Sequence, residues 1–445
     1  MKRDLTKGNV FKNIVVFSLP FLLSYFMQTL YGLADLFIIG QFAGVESTTA
    51  VSIGSQVMHM VTVMIVGLAM GSTVLIGHAV GAKDEKLTAK AIGNTASLFL
   101  AASFIAAVVL LMLCKPIVGV MSTPSEAVSQ TVQYLVICFA GIPFITAYNI
   151  ISSVLRGMGD SKSPMYFIAV ACVCNIGLDY LFIGMMGYEA RGAALGTCIS
   201  QAVSVIIALV YIIKKKIISG LHKTDFRPQK DIIGSILRVG IPVSAQDGFI
   251  QISFILITVF ANRRGLNDAA AVGVVEKLIG ILFLVPSSLL SSVSALCAQN
   301  LGAGKEERAR KTLYYAMGIA LIWGLVMATL FQFAASEAVA MFTDEPEVIR
   351  LGDQYMRSYV WDCVFAGVHF CFSGYFCACA RSEISFLHNI ISILTARIPI
   401  AYYASVHFAD TLYPMGFAAP IGSVISVIVC VVAFNILRKK KERHV

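Results

Sequence analysis

Moved along itself by roughly 221 residues, the chain falls into register with its own second half, and this duplication limits its possible folds more than any other feature. Gly81-Ala82 lands on Gly302-Ala303, each followed by a charged stretch, Lys83–Lys86 in the first copy and Lys305–Arg308 in the second. Ala50 lands on Ala271, Glu126 on Glu347, Gln133-Tyr134 on Gln354-Tyr355 and Ser161 on Ser382, while Pro20 meets Pro242 with one residue of slippage. Each copy carries six apolar runs long enough to cross a bilayer. Six is even, so both copies enter the membrane from the same side, and the repeat is parallel, with its axis along the membrane normal. A duplicated membrane half creates an interface between two similar bundles, where secondary transporters place a substrate site and about which they rock.

A helical span needs about 20 apolar residues to cross a hydrocarbon core of about 30 Å. Twelve such runs lie near 14–39, 47–77, 91–114, 130–155, 163–186, 192–213, 233–261, 270–299, 313–337, 348–379, 384–406 and 415–437. Only 13% of the residues are charged, where a soluble chain carries nearer a quarter. The predicted fold is therefore an all-α integral membrane protein, with twelve transmembrane helices in two pseudo-symmetric six-helix bundles. Residues 1–213 form the N-lobe with spans 1–6, 214–231 a basic cytoplasmic linker containing Gly220 and Pro228, and 232–445 the C-lobe with spans 7–12 and a basic tail.

With both termini in the cytoplasm, the inner segments hold about 26 of the 34 Lys and Arg, the outer loops about five and the spans about three. The heaviest inner clusters are Lys214-Lys215-Lys216 through Lys230, Lys305–Lys311 and Arg438–Lys441. The net charge of +9 is this inside bias, and it calls for no nucleic-acid partner. The chain is read as a multi-pass protein of the inner (plasma) membrane and as a monomer. Lys2, Arg3 and Lys7 before an apolar run mimic a signal peptide. The run is too long for one, and no small-x-small site precedes Asp35, so it reads as a retained first span.

Eleven cysteines are scattered through the spans with no disulfide framework or metal-ligand spacing, as small buried apolar residues would be. His59 and His369 lie inside spans; each is either a satisfied packing residue or a titrating group. No phosphate loop, dinucleotide fingerprint or nucleophile elbow occurs in a fitting context. The chain is therefore read as no enzyme, without a cofactor, and any pumping must draw on an ion gradient.

The chemistry then rests on ionisable residues within spans, each expensive to insert and so a functional candidate. The first half has two, Asp35 and Asp179. Helix rise puts Asp35 about 31 Å and Asp179 about 24 Å from the inner ends of spans 1 and 5, both in the outer half of the membrane. Asn175 sits one turn below Asp179, and Gln28 and Tyr31 share the face of Asp35. A single carboxylate at this depth could snorkel to the outer surface, but the matched depth of Asp179, with Asn175 beside it, favours a site. Such a pair can load and release a proton, or hold Na⁺ among amide, hydroxyl and carbonyl oxygens.

Leu33-Ala34-Asp35 followed by Ile38-Ile39-Gly40, the inner loops Gly81-Ala82 and Asn300-Leu301-Gly302-Ala303-Gly304, Arg156-Gly157-Met158-Gly159-Asp160-Ser161-Lys162 after span 4, and Gly192-Ala193-Ala194-Leu195-Gly196-Thr197 opening span 6 together carry a resemblance. In this order and spacing, in a duplicated twelve-span chain, the sequence resembles, end to end, the multidrug and toxic-compound extrusion (MATE) transporters of the multidrug/oligosaccharidyl-lipid/polysaccharide superfamily. The resemblance implies two six-helix lobes around a central cleft and export of organic cations and drugs in exchange for H⁺ or Na⁺. It implies a cation site in which Asp35 of span 1 faces Asn175 and Asp179 of span 5, surrounded by Tyr31, by Tyr134 and Asn149 of span 4, and by Thr197 of span 6. Where the sodium-coupled branch carries a Glu on span 7, this chain reads Ile250-Gln251, and its nearest carboxylate is Asp247.

In the second half, Asp247 and Arg397 both lie roughly 20 Å from the inner ends of their spans, a depth that allows them to pair. Glu276, Lys277, Arg357 and Asp362 fall in the outer parts of spans 8 and 10. Arg397, Arg357, Asp362 and Lys277 read as a structural charge network. Gln28, Asp247, Gln251, one turn from Asp247, and Glu276 are the candidates for contact with a cationic substrate. The function expected is secondary-active export of organic cations, antiporting against H⁺ or Na⁺ by rocking-lobe alternating access. Span 1 would bend at Pro20 and Gly32 as the acid site loads and unloads. Two other classes stand beside it. A lipid-linked precursor flippase would need a strongly cationic cavity, which the N-lobe does not offer. A membrane-embedded enzyme acting on lipid-linked sugars would need outer-loop catalytic groups, and these loops are short.

Overall fold

The computed structural model describes residues 4–215, 217 and 220–442. The basic residues Lys2, Arg3 and Lys216, and the side chains of Lys440 and Lys441, lie outside the described residues. Among those described, every regular element is helical.

Six spans come from the first half: α1 (Val10–Phe42), α2 (Val45–Gly81), α3 (Glu85–Val120), α4 (Val128–Ala140) joined to α5 (Ile142–Gly157), α6 (Lys162–Asp179) continued by a π-helical turn (Tyr180–Met185), and α7 (Glu189–Lys214). The second half supplies α8 (Lys230–Arg264), α9 (Leu266–Leu282) running into α10 (Leu284–Gly302), α11 (Glu306–Ala340), and α12 (Pro346–Tyr359) joined to α13 (Asp362–Ala378). It ends with α14 (Ser382–Ser392), a π-helical turn (Ile393–Arg397), α15 (Ile398–His407), α16 (Tyr413–Gly416) and α17 (Ala418–Glu442). Among the described residues ten helices are long and apolar enough to cross a membrane unbroken, and two bent pairs bring the number to as many as 12. The bent pairs are the fourth span of each half, α4/α5 at 48° and α12/α13 at 43°. The π-helical turns likewise fall in the fifth span of each half.

The duplication extends to single backbone angles. Lys83 (φ 57°) and Gly304 (φ 72°) take the left-handed conformation at matching turns, and Gly159 (φ 87°) and Ala380 (φ 54°) do so after the bent spans. A turn of this shape costs least with glycine, and each pair keeps it although only one member is glycine. The inner turn before α3 is fixed by Asp84, whose Oδ1 accepts from the Leu87 amide at 2.9 Å and so satisfies one of the free N–H groups at the helix start.

The chain separates into two compact units. The first comprises residues 1–5, 19–240 and 302–304. Its core has two clusters, one with Ala50, Val51, Leu135, Phe139 and Ile142, the other with Ile76, Leu155, Ile168 and Ile236. The segment before α8 is built into it. The Asn94 amide donates to the Asp225 carbonyl (3.1 Å) and accepts from the Gln229 amide N–H (2.6 Å), and Ser97 donates to the Phe226 carbonyl (2.6 Å). The second unit comprises residues 6–18, 241–301 and 305–445. Its core gathers Ala271, Val275, Tyr355, Met356, Tyr359 and Ala401. Here Arg308 donates to the carbonyls of Lys7 and Gly8, both at 2.8 Å, which ties the segment before α1 to the start of α11.

α1 is one helix through Pro20. The carbonyl of Pro20 accepts from the Ser24 hydroxyl at 2.8 Å. The bends observed are those of the fourth spans, while the expected flexing of span 1 concerns a change of state and is taken up below.

Candidate functional site

The first unit brings Asp35 from α1, Asn175 and Asp179 from α6, and Thr197 from α7 to one buried point. Asp35 is 3% exposed, and Asp179 and Asn175 are fully buried. The carboxyl of Asp35 lies within hydrogen-bonding reach of Asp179, Asn175 and Thr197. The contact with well-aligned geometry is that of the Thr197 hydroxyl, which donates to Asp35 Oδ2 at 3.4 Å. Asp35 Oδ1, both carboxyl oxygens of Asp179 and both amide atoms of Asn175 are buried without a well-placed protein partner. Buried polar atoms are nearly always satisfied, so five of them close together single this point out as the candidate site. Two carboxyl groups in contact cannot both remain charged and unaccompanied at low cost; a shared proton or a bound cation relieves them.

The local sequence explains how so much polarity fits. Asp179 closes α6, and the chain passes at once into the π-helical turn Tyr180–Met185, which widens the helix beside the carboxyl. Gly196, on α7, faces it: a Cβ at this position would collide with Asp179 Oδ1. Tyr31 and Tyr134 stand in electrostatic range of Asp35. The Tyr134 hydroxyl is hydrogen-bonded to Ser55 of α2 at 3.2 Å, and its ring occupies the space that a side chain at Gly54 would fill. Asn149, expected in this group, makes no hydrogen bond with the Asp35 carboxyl among the described residues. Its amide donates to the Ile145 carbonyl of its own helix at 2.8 Å. Gln28 turns to the Tyr148 side chain. Sequence reasoning missed Ser55, Gly54 and Gly196, although a glycine directly before Thr197 was the available signal for close packing.

Among the described residues no group of three or more His, Cys, Asp or Glu is arranged to hold a metal ion. A cation at this point would therefore rely on Asn175 and Thr197 as well as the two carboxyls, donors that suit a proton or Na⁺.

In the second unit the structure corrects one expected partnership. Arg397 does not pair with Asp247. Its guanidinium lies 3.9 Å from Asp362 Oδ2, 3.3 Å from the Tyr359 hydroxyl and 4.6 Å from the centre of the Phe254 ring. Helix rise gave Asp247 and Arg397 equal depth but says nothing of the direction each faces. The π-helical turn that ends on Arg397 and the bend before Asp362 set that direction. Glu276 is close enough to feel the charge of Arg397, and its Oε2 lies 3.5 Å from the Thr258 hydroxyl. The rest of the expected network is not part of this cluster. Arg357 pairs with Asp353 one turn away at 2.9 Å, and Lys277 is exposed with no ion pair among the described residues. Asp247 and Gln251 are half-buried one turn apart on α8, and neither side chain has a hydrogen bond or ion pair among the described residues. Next to them, Gln246 is buried and accepts from the Ser385 hydroxyl at 2.7 Å.

The chain as a whole is similar to known proteins in sequence and fold. The MatE family model matches the chain twice, over residues 20–181 and 242–403, one match per half. A Bacillus subtilis (strain 168) protein named "Probable multidrug resistance protein YoeA" is 26% identical over 444 residues, covering 98% of this chain and 96% of that one. Another from the same organism, "Probable multidrug resistance protein YpnP", is 29% identical over 396 residues, covering 89% and 88%. Among solved structures, one titled "Outward-facing conformation of a multidrug resistance MATE family transporter of the MOP superfamily" superposes with a TM-score of 0.90 at 23% identity, over 98% of each chain, and shares the fold.

Proposed function

The chain belongs to the MatE family of multidrug transporters, and from that premise we propose that it exports organic cations in exchange for H⁺ or Na⁺ loaded at Asp35 and Asp179. The observation that carries the proposal is the buried meeting of the two carboxyls with Asn175 and Thr197, five of whose polar atoms lack a well-placed protein partner. The coupling ion occupies that point. A proton bridges or neutralises the acids; Na⁺ takes the Asp35 and Asp179 oxygens with the Asn175 carbonyl and the Thr197 hydroxyl. Loading removes the need of Asp35 for polar partners on α6 and α7, and α1 can then repack about Pro20 and Gly32, as alternating access requires. The protein works as a monomer in the plasma membrane with both ends cytoplasmic, the orientation the basic residues favour.

Cationic cargo fits the charges better than an anionic lipid-linked precursor. In the second unit the guanidinium of Arg397 already faces Asp362, and that of Arg264 pairs with Asp268, so neither supplies a free positive charge for a pyrophosphate. Asp247, with no partner of its own, is the available contact for a cationic substrate.

Asp35→Asn tests the proposal. The variant should keep its expression and thermal stability and lose gradient-driven efflux from proteoliposomes, and Asp179→Asn should be nearly as damaging because the two acids act as one site. Wild-type efflux in either variant would remove the carboxyl pair from the coupling step.

A further inference from the structure

The second unit holds a cluster of titratable groups that the carboxyl pair of the first unit does not involve. His369 on α13 and His388 on α14 are 5% and 0% exposed, with ring centres 5.3 Å apart and planes at 65°. Each is tied at Nε2 to a serine: His369 to Ser423 of α17 at 3.3 Å, His388 to Ser373 at 2.9 Å. Each has its other nitrogen, Nδ1, buried without a protein partner among the described residues. Ser423 also stands within reach of the carboxyl of Asp362.

The polarity of that chain follows from its ends. Asp362, beside Arg397, is an acceptor, and a Ser423 hydroxyl turned toward it donates its proton there. The Ser423 oxygen then accepts from His369 Nε2–H. The tautomer that results leaves Nδ1 of His369 as a bare base. The groups run along α13 from Asp362 near the outer end to Ser373, a distance of about 16 Å by helix rise. We propose that His369 and His388 form a second proton-binding site, in the C-terminal unit, which holds one proton for the pair.

The surroundings oppose two charges. Arg397 is a cation within electrostatic reach of His369 and works against a proton there, an effect offset by Asp362, which faces Arg397 at 3.9 Å, and by Glu276 in its field. The part of α11 against this stretch of α13, around Ala320 and Gly324, carries no ionisable side chain, and α17 presents Ser423 and Ser426. A proton added at His369 Nδ1 leaves an imidazolium beside a neutral imidazole. A second would set two like charges with ring centres 5.3 Å apart, so the pair titrates as a unit. A transition metal is a poorer fit, because two imidazoles are the only ligands the cluster offers and no group of three or more metal-binding residues is formed among the described residues.

The test reads the rings directly and needs no transport. The full chain is labelled with ¹⁵N-histidine and reconstituted into liposomes. His59, His78, His222, His407 and His444 are replaced by Gln, so that the pair alone gives signal, and solid-state ¹⁵N spectra are recorded over about pH 5 to 8, where histidine changes charge. One imidazolium per pair should grow in as the pH falls, with the second ring neutral and shifting in step. Two rings that stay neutral throughout, or two that both become imidazolium, would overturn the proposal. The same titration can be read in the otherwise unaltered chain as a difference spectrum against His369→Gln. Asp35→Asn should leave it unchanged; if that variant abolishes it, the pair is no site of its own. Because the readout is protonation, a failure of gradient-driven efflux would count against the proposed function and leave this site standing.

Discussion

The partnership of Arg397 gives the sharpest energetic prediction. At 3.9 Å from Asp362, with side-chain exposures of 12% and 2%, the pair is worth about 4 kcal/mol by Coulomb's law at an effective dielectric of about 20. Removing one partner of a buried pair typically costs about 3–5 kcal/mol, because the other is left uncompensated. The two single changes should differ. Arg397→Gln leaves a carboxyl that can neutralise itself by taking a proton, whereas Asp362→Asn leaves a guanidinium that cannot lose one. The Tyr359 hydroxyl, the Phe254 ring and nearby Glu276 offset part of that cost, so Asp362→Asn should sit near the lower end, at about 3 kcal/mol, with Arg397→Gln less. The double variant should recover most of the loss. Thermal unfolding of the purified protein in detergent, run as a double-mutant cycle, measures this directly. Asp247→Asn should show no coupling to Arg397→Gln in a parallel cycle. Strong coupling to Asp247 with none to Asp362 would refute the reasoning.

Two further predictions concern the first unit and its cargo. Gly196→Ala puts a methyl against Asp179 Oδ1 and should abolish or strongly reduce gradient-driven efflux while the protein still folds; unaltered transport would show that the carboxyl need not hold its place. A permeant organic cation such as ethidium should be exported well ahead of an anion of similar size in the same vesicles, and equal or preferential export of the anion would favour a flippase.

The coarse fold was legible because the bilayer imposes it. Backbone groups in hydrocarbon must be satisfied within the segment, so apolar runs of about 20 residues announce themselves as spans, and a repeated set of six announces two bundles. The meeting of Asp35 with Asp179 and Asn175 was legible for a related reason: few carboxylates are tolerated at that depth, and helix rise fixes depth well. Direction around the helix is what the sequence left open. The choice of Asp362 by Arg397 depends on a π-helical turn at 393–397, which Pro399 marks in the sequence without fixing the direction Arg397 takes, and on a 43° bend before Asp362 that carries no proline. The same holds for Asn149, which lies on a helix facing the interior yet bonds to its own backbone. Gly54 and Gly196 carry their meaning through what they make room for, a tyrosine ring and a carboxyl, and that is visible only once the neighbouring helices are in place.

The central claim is ion-coupled export of an organic cation through the Asp35 and Asp179 site. Its most direct test is efflux of such a cation from proteoliposomes under a pH gradient and a Na⁺ gradient imposed separately, for the wild type and Asp35→Asn. At least one gradient should drive efflux in the wild type, and neither should do so in the variant. Efflux indifferent to both gradients, or equally driven in the two proteins, would contradict the account.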